Sequence, residues 1–199
     1  MYKKMLDITE IEKKLAEKLS LKRFSHSINV SKTAIRMAKL FKEPLDKAAI
    51  AGLLHDCARD IDHEEIFKKA AEFNMKIDEL DKESPVLLHA RVGAYIAKKE
   101  FGIRDKEILD AIAHHTVGGE NLDTLSKIIY LADIIEPSRS FKEVDKLRKL
   151  ALKNLDKAML YAYDIAIEYN LGKNKTIHPA TIEGRNELLL KSKQNNKIS

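Results

Sequence analysis

Polar side chains that can bind a metal ion interrupt several apolar segments of this sequence. In AGLLHDCARD, residues 51–60, His55 and Asp56 follow a run of small and aliphatic residues. An unpaired carboxylate is costly to bury, and it either finds a partner or shifts its pKa until it is neutral. His55 and Asp56 therefore lie either at a helix end that faces water or beside a cation.

The same pattern recurs elsewhere in the chain. A single histidine on an apolar helix face is more often a packed core residue than a ligand. A whole set of them, with aspartates, would leave many buried polar groups unpaired. Imidazole nitrogens and carboxylate oxygens suit iron, manganese, zinc or nickel ions. The sequence therefore predicts one metal site inside a helical fold, formed by inward-facing His26, His55, His89, His114, His115, Asp56 and Asp133.

The segments that must position these residues have the apolar spacing of amphipathic helices, and the chain contains only 7 glycines and 4 prolines. This combination favours an all-α fold. No repeat or low-complexity linker marks a boundary, so we expect one domain over residues 1–199, with a core at about 20–190 and a frayed polar tail at 191–199. Helices are predicted over about 8–19, 25–41, 46–61, 63–74, 86–101, 104–116, 121–137, 142–152, 155–171 and 178–191.

Composition argues against several classes of function. The net charge of +5 is lower than that of a dedicated nucleic-acid binder, and no phosphate-binding glycine motif occurs. No apolar stretch approaches the ~20 residues that cross a bilayer. The lone Cys57 suits a reducing compartment, and we expect it to be a packing residue. We therefore expect a cytoplasmic protein that binds neither nucleic acid nor membranes.

The motifs around the polar residues resemble those of a known family. The order of a His, a His-Asp pair, further histidines and a last Asp is similar to that of HD-domain metal-dependent phosphohydrolases. RFSHSINV, AGLLHDCAR, VLLHARVGA, AIAHHTVGG, KIIYLADIIEPSRSF and IHPATIEGRN, between about residues 23 and 187, resemble the YqeK branch of bacterial HD proteins. The resemblance implies an HD-type helical bundle, symmetrical hydrolysis of diadenosine tetraphosphate, and iron as the usual metal.

The resemblance also implies roles for individual residues. His89 and His114 match positions that hold a second ion or face the substrate phosphates. His115 follows His114 directly and cannot share its direction on a helix, so it is the weaker candidate for substrate binding. Arg59 stands where many HD proteins carry a lysine, and it would bind phosphate bidentately. The implied primary metal ligands are His26, His55, Asp56 and Asp133.

These roles imply a metal-activated water that attacks an inner phosphorus and releases two ADP molecules. Asp56, Arg59, His89 and His114 are the expected catalytic residues. Further substrate contacts are expected from Ser138 and Arg139, just after Pro137, and from His178, which could equally cap a helix.

Several alternatives stay open at this point. The substrate could be another nucleotide, such as an alarmone or a deoxynucleotide, or the chain could be a metal- and nucleotide-binding sensor with little turnover. The ligand types also leave manganese, nickel, zinc and a second metal ion open. A homodimer is a further possibility, because Tyr161 and Tyr163 extend the apolar surface of their helix, but core packing explains them as well. His63, in a charged stretch, is expected at the surface.

Overall fold

The computed structural model describes residues 6–198, and the side chains of residues 6–194. Within that range the chain forms α-helices and one 3-10 turn, and no strand. The helices are α1 Ile8–Lys18, α2 Leu21–Phe41, α3 Leu45–Leu54, α4 His63–Glu72, α5 Glu79–Glu83, α6 Leu88–Glu100, α7 Lys106–His114, α8 Thr124–Ile135, α9 Val144–Ala151, α10 Leu155–Gly172 and α11 Pro179–Ile198, with the 3-10 turn at Pro85–Leu87 before α6.

Side-chain caps fix where most of these helices begin. The Asp123 carboxylate accepts a hydrogen bond from the Ser126 amide at 2.6 Å and starts α8, the helix that carries Asp133. Asp105 caps α7 in the same way. Such caps satisfy amide groups that have no partner inside the helix. Other capping side chains are Asp7, Asp62, Asp78 and Asn154.

The core lies between four helices, α2, α3, α7 and α8, with α6 packed against α7. Gly52 allows α3 to approach α2 very closely, because a Cβ atom at this position would lie 2.7 Å from the Ser31 Cα. His26 lies on α2 and His55 directly follows α3, so the close packing of the two helices brings them together. The helices α9, α10 and α11 lie outside α8.

The helices differ most clearly from the sequence prediction in three parts of the chain. The helix predicted over 46–61 ends at Leu54, and residues 55–60 form turns. The short helix α5 was not predicted, and α6 begins only after a 3-10 turn. The tail predicted to be frayed continues α11 as helix through Ile198, and Ser199 lies outside the described residues.

Tyr163 is a core residue rather than part of an exposed apolar face. It is fully buried, and its hydroxyl accepts a hydrogen bond from the Gly119 amide at 3.1 Å. Tyr161 is partly buried, with the Lys146 ammonium 4.1 Å from the centre of its ring. Tyr163 therefore does not contribute to the apolar surface that suggested a dimer. Among the residues described, no helix is both long and apolar enough to span a membrane.

Candidate metal centre

A buried cluster of imidazoles and carboxylates lies where the ends of α3 and α7 meet α2, α6 and α8. Six side chains form it: His26, His55, Asp56, His89, His115 and Asp133. All but Asp133 are almost completely inaccessible to solvent. Three overlapping groups of these residues bring their ligand atoms within 4.8 Å of one another.

Asp56 lies at the centre of the cluster, with its two oxygens facing different histidines. Oδ1 is 3.0 Å from Nε2 of His89 and 3.5 Å from Nε2 of His115. Oδ2 is 3.7 Å from Nε2 of His55 and 3.9 Å from Nε2 of His26. One carboxylate can therefore serve two adjacent ligand groups.

Asp133 lies beside His26 and His55 in the cluster. Its Oδ1 atom is 2.9 Å from Nε2 of His26 and 4.0 Å from Nε2 of His55. The Arg139 guanidinium donates to the same oxygen and, at 2.9 Å, to the Asp133 backbone carbonyl. Arg139 therefore lies at the rim of the cluster, as a charge that can face an anionic ligand.

The backbone orients three of the four imidazoles. Nδ1 of His55 donates to the Gly52 carbonyl at 2.8 Å, and Nδ1 of His115 donates to the Ile112 carbonyl at 2.7 Å. Nδ1 of His89 donates to the Val86 carbonyl. Because a carbonyl only accepts, these contacts place the proton on Nδ1 and leave the Nε2 lone pair facing the cluster.

The facing lone pairs indicate a cation. Nε2 of His26 is 3.3 Å from Nε2 of His55, and Nε2 of His89 is 3.1 Å from Nε2 of His115. Two acceptors at such distances repel each other unless a positive charge lies between or beside them. Imidazole and carboxylate donors with hydrogen-bonded Nδ1 atoms are the usual surroundings of a divalent transition metal. The donor set therefore fits a metal ion.

The electrostatics agree with this conclusion. Burial lowers the pKa of His55 to about 4, so this imidazole is neutral and free to bind a metal at pH 7. Burial alone would raise the pKa of Asp56, but His55, His115 and His89 outweigh it and lower the pKa below its ordinary value. Burial alone would also raise the pKa of Asp133, but the neighbouring His26 and His55 imidazoles and the Arg139 guanidinium outweigh it and lower the pKa. Both carboxylates are thus ionised in surroundings that favour a cation.

Two residues of the site, Glu136 and Arg23, were not predicted from the sequence. Glu136 is completely buried at the end of α8, where its carboxylate accepts from Nδ1 of His26 at 3.2 Å and from the Ser138 amide and hydroxyl. The Arg23 guanidinium is 3.5 Å from Oδ2 of Asp56. Arg23 precedes His26 by one helical turn, a spacing that could have identified it. A Glu directly after an apolar helix was the available signal for Glu136.

The two neighbouring histidines exchange the roles that were predicted for them: His115, not His114, faces the cluster. The helix α7 ends at His114, and the turn that follows directs the buried His115 into the cluster. His114 is only half-buried, and its Nδ1 donates to the Asp110 carbonyl at 2.8 Å. Neighbouring residues do point in different directions, but the inward one is His115. The ligand groups contain His115 and not His114.

The remaining predicted residues lie around the cluster or away from it. Arg59 is half-buried and shares a cavity with His89. Ser138 donates to Glu136 and so supports the cluster indirectly. Nδ1 of His178 accepts from the Ala180 amide at 3.2 Å, which is a capping contact at the start of α11, and the ligand groups do not include it.

Cys57 and His63 lie where the sequence predicts, Cys57 in the core and His63 at the surface. Cys57 is buried, with its thiol 3.4 Å from the Gly93 carbonyl, and burial raises the pKa of this thiol to about 12. His63 is exposed at the start of α4. Cys57 is therefore a packing residue.

An all-α bundle with this buried set of histidines and aspartates defines a class of metal-binding hydrolases. Residues 23–138 match the HD domain family, and this range contains every member of the three ligand groups. The chain therefore belongs to the HD domain family, which implies that it binds a divalent metal.

Similar proteins narrow the class further. A relative from Bacillus subtilis is 39% identical over 83% of this chain and 88% of its own length. One from Halalkalibacterium halodurans is 40% identical over 86% and 91%. Both are named symmetrical bis(5'-nucleosyl)-tetraphosphatases. These relatives confirm the resemblance to the YqeK branch.

A solved structure confirms the HD-type helical fold. It belongs to an HD superfamily hydrolase from Clostridium acetobutylicum, described as involved in NAD metabolism. The two chains are 41% identical, the TM-score is 0.92, and the match covers 94% of this chain and 100% of the other.

Proposed function

We propose that this chain is a metal-dependent symmetrical bis(5'-nucleosyl)-tetraphosphatase, which hydrolyses diadenosine tetraphosphate to two ADP molecules. The single observation that carries the proposal is the buried set of converging Nε2 and carboxylate atoms around Asp56. The substrate is proposed from the relatives of that name that are 39% and 40% identical to this chain over most of its length.

Iron is the proposed metal, held by His26, His55, Asp56 and Asp133. These donors would also accept manganese, nickel or zinc. When bound, the ion would polarise a phosphoryl oxygen and lower the pKa of a coordinated water to roughly 7. The second oxygen of Asp56 faces His89 and His115, and these donors could hold a second ion.

The chain's own residues would orient the substrate and balance its charge. The Arg139 guanidinium, held against Asp133, would face the polyphosphate at the rim of the cluster. Arg59 would bind phosphate oxygens on the side of His89. With one ion bound on the His26 side, His89 and His115 remain available to bind phosphate oxygens or to protonate the departing ADP.

Product analysis tests this proposal directly. Purified protein with added ferrous or manganous ion is incubated with diadenosine tetraphosphate, and the products are separated by chromatography. We expect ADP as the only product. Loss of a residue that only supports a metal ligand typically costs up to about 100-fold in activity. Because Asp56 is itself a proposed ligand, Asp56→Asn should lower kcat/KM by more than about 100-fold.

The matched control is Asp156→Asn, at an exposed aspartate that pairs with Lys127 on the surface. We expect it to keep wild-type activity. Formation of ATP and AMP would contradict symmetrical cleavage. Turnover of a different nucleotide, with diadenosine tetraphosphate left intact, would contradict the proposed substrate.

A further inference from the structure

A cavity of about 480 Å³ lies beside the metal centre, between the turns after α3 and the 3-10 turn before α6. Its lining includes Arg59, Ile61, His63, Ile66, Val86 and His89. Its volume is within the roughly 300–1,000 Å³ typical of small-molecule sites. The cavity thus combines the cationic side chain of Arg59 with the apolar side chains of Ile61, Ile66 and Val86.

The cavity adjoins the metal centre through His89. Nε2 of His89 is 3.0 Å from Oδ1 of Asp56, and its Nδ1 donates to the Val86 carbonyl. The turn that carries Val86 thus orients a residue of the cluster and also forms a wall of the cavity. A molecule in the cavity would lie within one side chain of the metal centre.

The acidic residues of the cavity are already engaged. The Asp60 carboxylate accepts from the Ser20 amide at 2.8 Å, and the Asp62 carboxylate accepts from the Glu65 amide at 2.8 Å. By contrast, the half-buried guanidinium of Arg59 has no hydrogen bond or ion pair with any residue in the described part of the chain. A partly desolvated, unpaired guanidinium favours a phosphate, which it can bind bidentately.

The rest of the lining is aliphatic. Ile66 is buried, and Val86 is 37% exposed at the mouth. Ile61 and Pro85 complete this surface. A flat, uncharged ring system can pack against such side chains, whereas a bare polyphosphate gains nothing from them.

We propose that this cavity binds one nucleoside diphosphate end of the substrate. Arg59 binds phosphate oxygens beside the metal centre, and Ile61, Ile66 and Val86 pack against the base. The inference rests on the proposed function only in taking the substrate to be a dinucleoside polyphosphate.

A second, larger cavity of about 600 Å³ is the structural rival. It is lined by Ile134, Phe141, Tyr169 and further side chains from α10. Its lining contains Glu143 and Glu168 and, among the described residues, no cationic side chain. Both cavities contain two carboxylates, but only the cavity beside the metal centre also contains a guanidinium that can bind phosphate, so the cavity with Arg59 is favoured.

Binding of ADP to the metal-loaded protein tests the inference without requiring turnover. Calorimetry is compared for wild type, Arg59→Gln, Val86→Glu and the control Tyr169→Glu. Val86 and Tyr169 are both exposed, so the two glutamate substitutions are matched, one in each cavity. We expect Arg59→Gln and Val86→Glu to weaken ADP binding about tenfold or more and to raise KM, with metal content unchanged. Tyr169→Glu should bind ADP like wild type.

The other possible results separate a wrong cavity assignment from a wrong proposed function. Weaker ADP binding in Tyr169→Glu alone, unchanged binding in all three variants, or no binding to wild type would overturn the cavity assignment. Suppose that wild type binds ADP and that Arg59→Gln and Val86→Glu weaken this binding, but that diadenosine tetraphosphate is not cleaved. This result would contradict the proposed function and leave the cavity assignment intact. Normal cleavage with unchanged KM in Arg59→Gln and Val86→Glu would contradict the cavity assignment alone.

Discussion

At the scale of single residues, hydrogen bonds from Nδ1 determine the chemistry of the centre. Three imidazoles donate to carbonyls of their own helix turns, whereas His26 donates to the buried carboxylate of Glu136. A carboxylate partner fixes the orientation of the ring and makes Nε2 a stronger donor to a metal. Glu136 is therefore a positioning residue for His26.

Replacing Glu136 by glutamine should weaken metal binding while preserving the shape of the side chain. We expect about tenfold to 100-fold lower metal affinity, since the negative charge behind His26 is lost. Competition with a chelator of known affinity measures this change. Glu83→Gln, at an exposed glutamate, is the control and should not change metal affinity. Equal affinity in wild type and Glu136→Gln would contradict the positioning role.

At the scale of elements, α9 holds the segment that follows α8. The Arg148 guanidinium donates to the backbone carbonyls of Ile135 and Glu136 at 3.0 Å and to that of Arg139 at 2.9 Å. One side chain thus binds three carbonyls at and after the end of α8, of which that of Glu136 also accepts from the Arg139 amide at 3.0 Å. This clamp fixes the loop that carries Glu136 and Arg139 against the cluster.

Arg148→Lys should loosen this loop, because one ammonium group cannot match the planar fork that serves three carbonyls. We expect kcat to fall about tenfold, in the lower range for the loss of supporting contacts around a metal site. Arg185→Lys is the control, since Arg185 pairs with Asp164 between α10 and α11. The control should keep wild-type kcat even if its melting temperature falls. An equal loss of kcat in both variants would show a general effect on folding instead.

The ends of the helices explain which parts of the site the sequence could predict. Apolar spacing identified the segments that carry His26, His89 and Asp133, because all three residues lie within helices. It did not place the ends of α3 and α7, where backbone turns rather than periodicity direct the side chains. The inward direction of His115 follows from such an end and was assigned to His114 instead. The position of Glu136 directly after an apolar helix could have singled it out, but its contact with His26, 110 residues away in the sequence, could not be predicted from local spacing.

At the scale of the whole molecule, the cluster joins segments from residue 26 to residue 133. The all-α class could be predicted, since helical spacing and few breakers extend over the whole chain. How the helices pack could not, because it depends on contacts such as that of Gly52 with Ser31. Without a cation, the converging lone pairs oppose this packing. Metal binding and global stability should therefore be coupled.

Removal of the metal should lower the melting temperature. A ligand present at about 100 times its Kd stabilises the folded state by about 2.7 kcal/mol. For a chain of this size that corresponds to a shift of roughly 5–10 °C. Calorimetric scans with and without chelator measure the shift, and Asp56→Asn should abolish it. Identical melting temperatures with and without metal would contradict a metal site in the core.

The most direct test of the central claim is hydrolysis of diadenosine tetraphosphate in ¹⁸O-labelled water, with mass analysis of the products. The metal-loaded protein should yield only ADP, one labelled and one unlabelled molecule for each substrate cleaved. Chelation or Asp56→Asn should abolish both products. Label in ATP or AMP, or ADP formation that persists after chelation, would contradict a metal-dependent symmetrical cut at this centre.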